Sequence, residues 1–397
     1  MELRSLTCFA DLSYPLQPSQ WRQISTFASE ARRAFADAGF RVQSVRLATQ
    51  PFPEILAAAE GVALTDLAVQ VEAAAKDSGV GYVSLGPAPG SLGDRGWRIA
   101  EQIPEAIAAT EGVFFGASIT SAAGGVDLAA ILATASIIQR VSRGVANGFG
   151  NLRLAALANC GPWSPFFPVG YHGGGMFRFA IATEAADLAV QALSQEDSPA
   201  EAERRLTALI QREADWLVPV AEDVVQRLGI GFAGIDFSLA PYPVLEKSVG
   251  YAMESLTGER FGGQGTLFAA ALMTRAVQKA DFPKTGFCGL MLPVLEDTVL
   301  AARSQEGAYS LDHLLLYSSV CGTGLDTVPL PGEVSQNELA AILADVATLA
   351  VRLNKPLTAR LMPIPGKRAG ERTEFDFEYF ANAAILDVRG DAPRLWR

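Results

Sequence analysis

Four cysteines, two histidines and a set of carboxylates beside turns are the residues through which this chain of 397 amino acids can do chemistry. Cys321 stands in a run of small residues, Tyr317 to Gly332, together with Asp326. Small residues let a ligand approach the backbone closely, so Cys321 is a candidate nucleophile or redox thiol with His313 as a candidate base. The competing reading is a small buried residue beside a tight turn. Asp236, Glu254, Glu296 and Asp326 each sit where a strand or helix is expected to end, and in parallel α/β folds such ends build the pockets. Converging there, they would make an acid/base pair or an oxygen-rich set suited to Mg²⁺ or Ca²⁺. Taken singly, they read as helix caps, Glu296 and Asp297 above all.

Three further segments can bind rather than react. The glycines Gly262, Gly263 and Gly265 of Phe261-Gly-Gly-Gln-Gly-Thr-Leu267 open an apolar helix, whose free first-turn amides suit a carboxylate or phosphate. A glycine-rich turn required only for close packing has the same sequence. Arg360 lies in a strand-like run, where its planar fork would clamp a carboxylate or form a salt bridge. His172 ends the loop Pro165-Phe-Phe-Pro-Val-Gly-Tyr-His and is read either as a donor to substrate or as a histidine satisfied by loop carbonyls. The working assignment is therefore Cys321, Asp326 and His172 for catalysis, Arg360 with the three glycines for substrate, and Asp236, Glu254 and Glu296 for a metal.

These residues need a frame, and short apolar runs alternating with longer helical patterns supply one. Strands are expected at Arg4–Phe9, Val42–Leu47, Tyr82–Leu85, Val113–Ala117, Arg153–Ala158, Phe177–Ala182, Phe232–Phe237, Phe287–Leu292 and Leu357–Met362, with Leu314–Val320 as a tenth candidate. The intervening helices include Trp21–Asp37, Leu128–Val141, Glu201–Leu228, Thr266–Ala280 and Asn337–Leu353. Pro219 is expected to kink or break the third of these. Repeated βα units with buried strands give an α/β protein built on parallel sheet, either open and doubly wound or closed as a barrel. No Pro/Ser-rich linker divides the chain, which is treated as one domain over residues 1–397.

Composition narrows the partners. Lys+Arg 32 against Asp+Glu 43 gives a net charge of −11, which supplies no footprint for nucleic acid or anionic lipid. No secretory leader is visible at the N-terminus and the cysteines lack CxxC spacing, so a cytoplasmic chain with free thiols and no structural zinc is expected. With 49% apolar and only 19% charged residues, part of the apolar surface is expected to face a second copy in a homodimer.

Longer strings carry a resemblance. Gly234–Pro241, Arg260–Leu267, Gly286–Asp297, Leu314–Gly332 and Leu353–Glu371 are similar to the domain-of-unknown-function 711 group, often labelled "PFL family protein". Arg46–Glu54, Val83–Pro89 and Ser164–His172 extend the similarity over nearly the whole chain. That group resembles the glycyl-radical enzymes in fold, which implies a ten-stranded α/β barrel of two antiparallel halves, each of five parallel strands, with a loop entering it. The resemblance matches Cys321 to the cysteine of that loop. The radical motif is not matched: Arg360–Gly366 reads RLMPIPG, with Pro363 and Pro365 stiffening the approach to Gly366, so no glycyl radical is expected there. The resulting expectation is an enzyme acting on a small polar or anionic metabolite at the barrel mouth, or alternatively a non-catalytic metabolite-binding or regulatory protein.

Overall fold

In a computed structural model that describes residues 1–59, 61–121, 124–195 and 198–396, the chain forms a mixed sheet of nine strands. They are β1 (Glu2–Phe9), β2 (Val42–Pro51), β3 (Tyr82–Ala88), β4 (Val113–Ser118), β5 (Leu154–Ala158), β6 (Arg178–Glu184), β7 (Gly231–Asp236), β8 (Gly324–Pro331) and β9 (Leu357–Ile364). The sheet order is β7-β6-β1-β2-β3-β4-β5-β9-β8. The strands β1 to β5 run parallel in sequence order, with helices in the connections, as right-handed βα crossovers require. The strands β6, β7, β8 and β9 run the other way, and β6 and β9 pair antiparallel with β1 and β5.

Among the described residues the strand pairing between the two edges is reduced to single parallel bridges to the segment 284–293: Ile235 to Lys284 and Leu239 to Leu290 on one side, Pro293 to Asp326 on the other. This segment was expected as the strand Phe287–Leu292, yet it forms no continuous ladder. Gly286 (φ +66°) and Cys288 (φ +44°) turn the backbone into the left-handed region, which breaks the pleat. A closed ten-stranded ladder is thus not what forms. The tenth candidate, Leu314–Val320, is also corrected: it belongs mostly to the helix Leu311–Ser318, capped by Ser310 and His313. The strand lies further on, at β8, within the run of small residues that holds Asp326 and includes Pro329 and Pro331. Both prolines are tolerated because β8 ends the ladder and needs full pairing on one side only. Pro219 does not interrupt its helix, which runs unbroken from Pro199 to Leu228 with its capping at Ser198 and Gly229.

The strands are buried on both faces, and their alternation sorts the two environments. Leu6, Val45, Leu47, Val83, Leu85, Phe115 and Ile181 join the helices in one large apolar core. The opposite face carries polar or small residues, among them Thr7, Ser44, Ser84 and Ala180, and looks inward. Curling is required by distance. Arg4 on β1 and Arg360 on β9 both bond Glu296, yet they are five sheet positions apart, about 24 Å in a flat sheet. The loop 159–177 enters the concave side: Phe167 packs with Phe9, Ala48 and Ala180, and Phe166 packs edge-on against Phe287. Its tip is Pro165-Phe-Phe-Pro168, so the loop that enters carries aromatic rings where the resemblance had placed the thiol of Cys321. Among the described residues no helix is long and apolar enough to cross a membrane.

Candidate functional site

Inside the curled sheet, beyond the loop tip, lies a cavity of about 230 Å³. It opens at the N-terminal ends of β1 to β4 and the C-terminal ends of β6 and β7, and aromatic residues of the C-terminal tail, Phe377 and Tyr379, cover part of it. Phe149 packs edge-on against Phe377 at 5.2 Å between ring centres and completes that cover.

Three arginines reach in from strand interiors. Arg4 donates to Glu296 at 2.6 Å and stands 3.8 Å from Glu184. Arg360 donates through Nε to Asp326 at 2.6 Å and through Nη2 to Glu296 at 3.1 Å, with its fork over the Phe166 ring. These pairs are buried, which is tolerable only because each charge faces an opposite one. Burial, together with repulsion from Glu296, pushes the Asp326 carboxyl above the ordinary carboxylate range despite Arg360.

Arg46 differs from both. Its Nε donates to Ser44 at 2.9 Å, and its guanidinium lies over Tyr82 (5.7 Å) and Phe167 (5.4 Å). Among the described residues, neither Nη meets a carboxylate or any other acceptor. Burial, reinforced by the neighbouring charges of Arg4 and Arg360, pulls this group down to about 9. A cation so depressed in a cavity is poised to gain from an anion.

Of the sequence-derived site residues, Asp236, Glu296, Asp326 and Arg360 line this cavity together. Asp236 is buried. Its oxygens accept from Ser238 Oγ and from the amides of Phe287 and Cys288, so it holds the broken segment in place. Of the adjacent pair, Asp297 does the capping, accepting from Val299 and Leu300, while Glu296 turns into the cavity. Arg360 is neither a free clamp nor a surface salt bridge, because its donors are taken by the protein's own carboxylates.

The others lie elsewhere. Glu254 belongs to the outer helix Val249–Thr257, where Arg303 grips both its oxygens. That removes the third carboxylate from the expected metal set. Among the described residues no three His, Cys, Asp or Glu side chains group to hold an ion. Gly262, Gly263 and Gly265 form a packing turn before the helix Thr266–Lys279, and a Cβ at Gly262 would meet the Ala308 carbonyl at 2.4 Å. Cys321 is buried outside the cavity, its sulfur accepting from the Gly324 amide, and burial pushes its thiol up. His313 caps its helix and does not reach it. His172 sits at the opposite end of the sheet, its Nδ1 2.6 Å from Asp11 Oδ1 and its ring edge-on to Trp163. Its Nδ1 meets a carboxylate rather than a loop carbonyl, while its buried Nε2 has no partner among the described residues.

Arg4 and Arg46 were missed, although a signal was present. An arginine interrupts the apolar run of β1, β2 and β9, and another, Arg153, directly precedes β5. Charge inside a strand buried on both faces has to meet something.

Comparison with known proteins gives a family. The family model described as "Uncharacterised ACR (DUF711)" matches residues 1–378. A UPF0210 protein of Pyrobaculum aerophilum is 33% identical over 363 residues, covering 88% of this chain and 79% of its own length. Another from Pyrobaculum arsenaticum is 32% identical over 95% of this chain and 84% of its own. One from Methanosarcina barkeri is 28% identical over 98% and 90%. Matched by that model over residues 1–378 and one-third identical to a relative along most of both chains, the chain belongs to the DUF711 (UPF0210) family.

Proposed function

We propose that this protein binds a small anionic metabolite inside the curled sheet, anchored on Arg46. One observation carries the reading: Arg46 lines the cavity and, among the described residues, its Nη groups have no protein acceptor, whereas Arg4 and Arg360 beside it are paired. A planar fork with two free donors matches a carboxylate or phosphate edge. The cavity, smaller than the roughly 300–1,000 Å³ of drug-sized sites, suits a metabolite below nucleotide size.

Binding is better supported than catalysis, because Cys321 and His172 stand outside the cavity. An enzymatic use has a narrower basis in Asp326, a cavity-lining carboxyl raised by burial, which would carry the proton. We read the nine strands with segment 284–293 as an irregular ten-membered ring of two antiparallel halves, supported by the bridges on both its sides. A single domain agrees with one apolar cluster reaching from Leu3 to Leu386. The low charge and the exposed Trp216 and Phe268 support a homodimer, and four free cysteines fit the cytoplasm.

The test is thermal unfolding of wild-type and Arg46→Met protein with a panel of small carboxylates and phosphates. An anion that raises the wild-type melting temperature and leaves the variant unmoved supports the reading. Equal shifts in both, or none in either, refute it.

A further inference from the structure

Resting on the proposed anion site, we infer that its ligand is an aryl or arylalkyl monocarboxylate: one carboxylate on Arg46 and a flat apolar body with no second charged group. The first argument is a count of unmet donors. Gln43 donates to Glu2 and Glu184, Ser44 to the Arg4 carbonyl, Thr183 to the Ser238 carbonyl and Ser238 to Asp236. Arg153 is spent on Thr110 and on the carbonyls of Val113 and Ile107. Among the described residues these side chains are engaged by the protein itself; of the lining cations the Nη groups of Arg46 are left without an acceptor, with the hydroxyls of Tyr82 and Tyr379 as the neutral polar groups beside them. A ligand with a second anionic group would bury it against Glu296 and Asp326 without a free partner, which is costly. A phosphate dianion is also poorly matched, since it calls for several cations or an amide nest, and a single fork fits a carboxylate.

The second argument is the wall beside that fork. Tyr82 and Phe167 flank the Arg46 guanidinium, and Phe114 lies edge-on to Tyr82 at 5.7 Å and tilted against Phe167 at 5.6 Å. Phe149, Phe377 and Tyr379 close the other side. A carboxylate held by Arg46 must lay its body along these rings. A flat ring gains offset or edge-on contacts there, which a methyl group or a hydroxylated chain cannot make.

Isothermal titration of the purified full-length protein tests this with phenylacetate, acetate, 2-phenylethanol, succinate and inorganic phosphate. Phenylacetate is expected to bind at least about tenfold more tightly than each of the other four. Arg46→Met should abolish that binding while circular dichroism shows an intact fold, and Phe114→Ala should shrink the advantage of phenylacetate over acetate. Acetate equal to phenylacetate, or succinate or phosphate tighter than it, would overturn the monocarboxylate inference while an Arg46-dependent anion site stands. Absence of Arg46-dependent binding for every anion would overturn the inference and the proposed function together. The wild-type ranking alone decides the ligand class should a variant fail to fold.

Discussion

Replacing Arg46 with methionine should make the unliganded protein more stable, although it destroys the site. Burial, with the charges of Arg4 and Arg360 beside it, pulls Arg46 well below the ordinary arginine range, to about 9. At roughly 1.4 kcal/mol per tenfold change in proton affinity, the folded state carries a ceiling penalty on the order of 5 kcal/mol for keeping this charge. Residual solvent contact through the cavity lowers that figure. Losses offset part of it: about 0.5–1 kcal/mol for each of the two ring contacts, and about 1 kcal/mol for the Ser44 hydrogen bond. Methionine repacks against the same rings. The net expectation is a gain on the order of 1–2 kcal/mol, read as a higher urea midpoint at pH 7 with an unchanged slope. Because Arg46 is a base whose folded affinity for a proton is depressed, the penalty is fully present at neutral pH. It fades as pH rises through about 9, so the advantage of the variant should narrow on the alkaline side. A variant midpoint below the wild type at pH 7 would show that Arg46 has a structural partner, and would refute the argument from an unpaired fork.

Arg360→Met should have the opposite effect, since it strands Asp326 and Glu296 in the interior; a loss of about 3–5 kcal/mol is expected from the same urea titration, and adding Asp326→Asn should recover part of it. Thiol labelling at pH 8 should leave Cys160, Cys288 and Cys321 unmodified until the protein unfolds, because burial pushes the first two up to about 12 and also raises the third; fast native labelling of Cys321 would restore it as a nucleophile. Hydrogen bonds from Arg275 and Lys279 hold Glu203 down to about 2. Glu203→Gln should therefore lower the melting temperature at pH 7, with the gap to wild type closing as pH falls from about 4.5 toward 2. No glycyl radical should form at Gly366: it follows the C-terminal end of β9 while Cys321 precedes β8, at opposite ends of a parallel pair about 26 Å long. Anaerobic treatment with an activase and S-adenosylmethionine should give no doublet by electron paramagnetic resonance, and oxygen-dependent cleavage at Gly366 would overturn this.

Local pattern alone determined the α/β class, because buried parallel strands leave apolar runs and the helices between them leave amphipathic ones. Eight of the nine strands lie where those runs fall, and so do the carboxylates Asp236, Glu296 and Asp326 at element ends that meet in one cavity. What pattern could not decide was tertiary. Phe287–Leu292 reads as a strand but is broken by a left-handed Cys288, a conformation supported from afar by Asp236 accepting its amide. The segment at β8, a run of small residues with two prolines, is not among the expected strands, and its place at the end of the sheet is what makes those prolines harmless. Glu254 and Glu296 look alike in sequence, yet one is taken by Arg303 on an outer helix while the other is drawn inward by two arginines from distant strands. Charge in a strand is visible along the chain, whereas its partner is set by how the sheet curls. That is why Arg360 was singled out and proved spoken for, and why the free fork of Arg46 emerged only when β1, β2 and β9 were brought around one space.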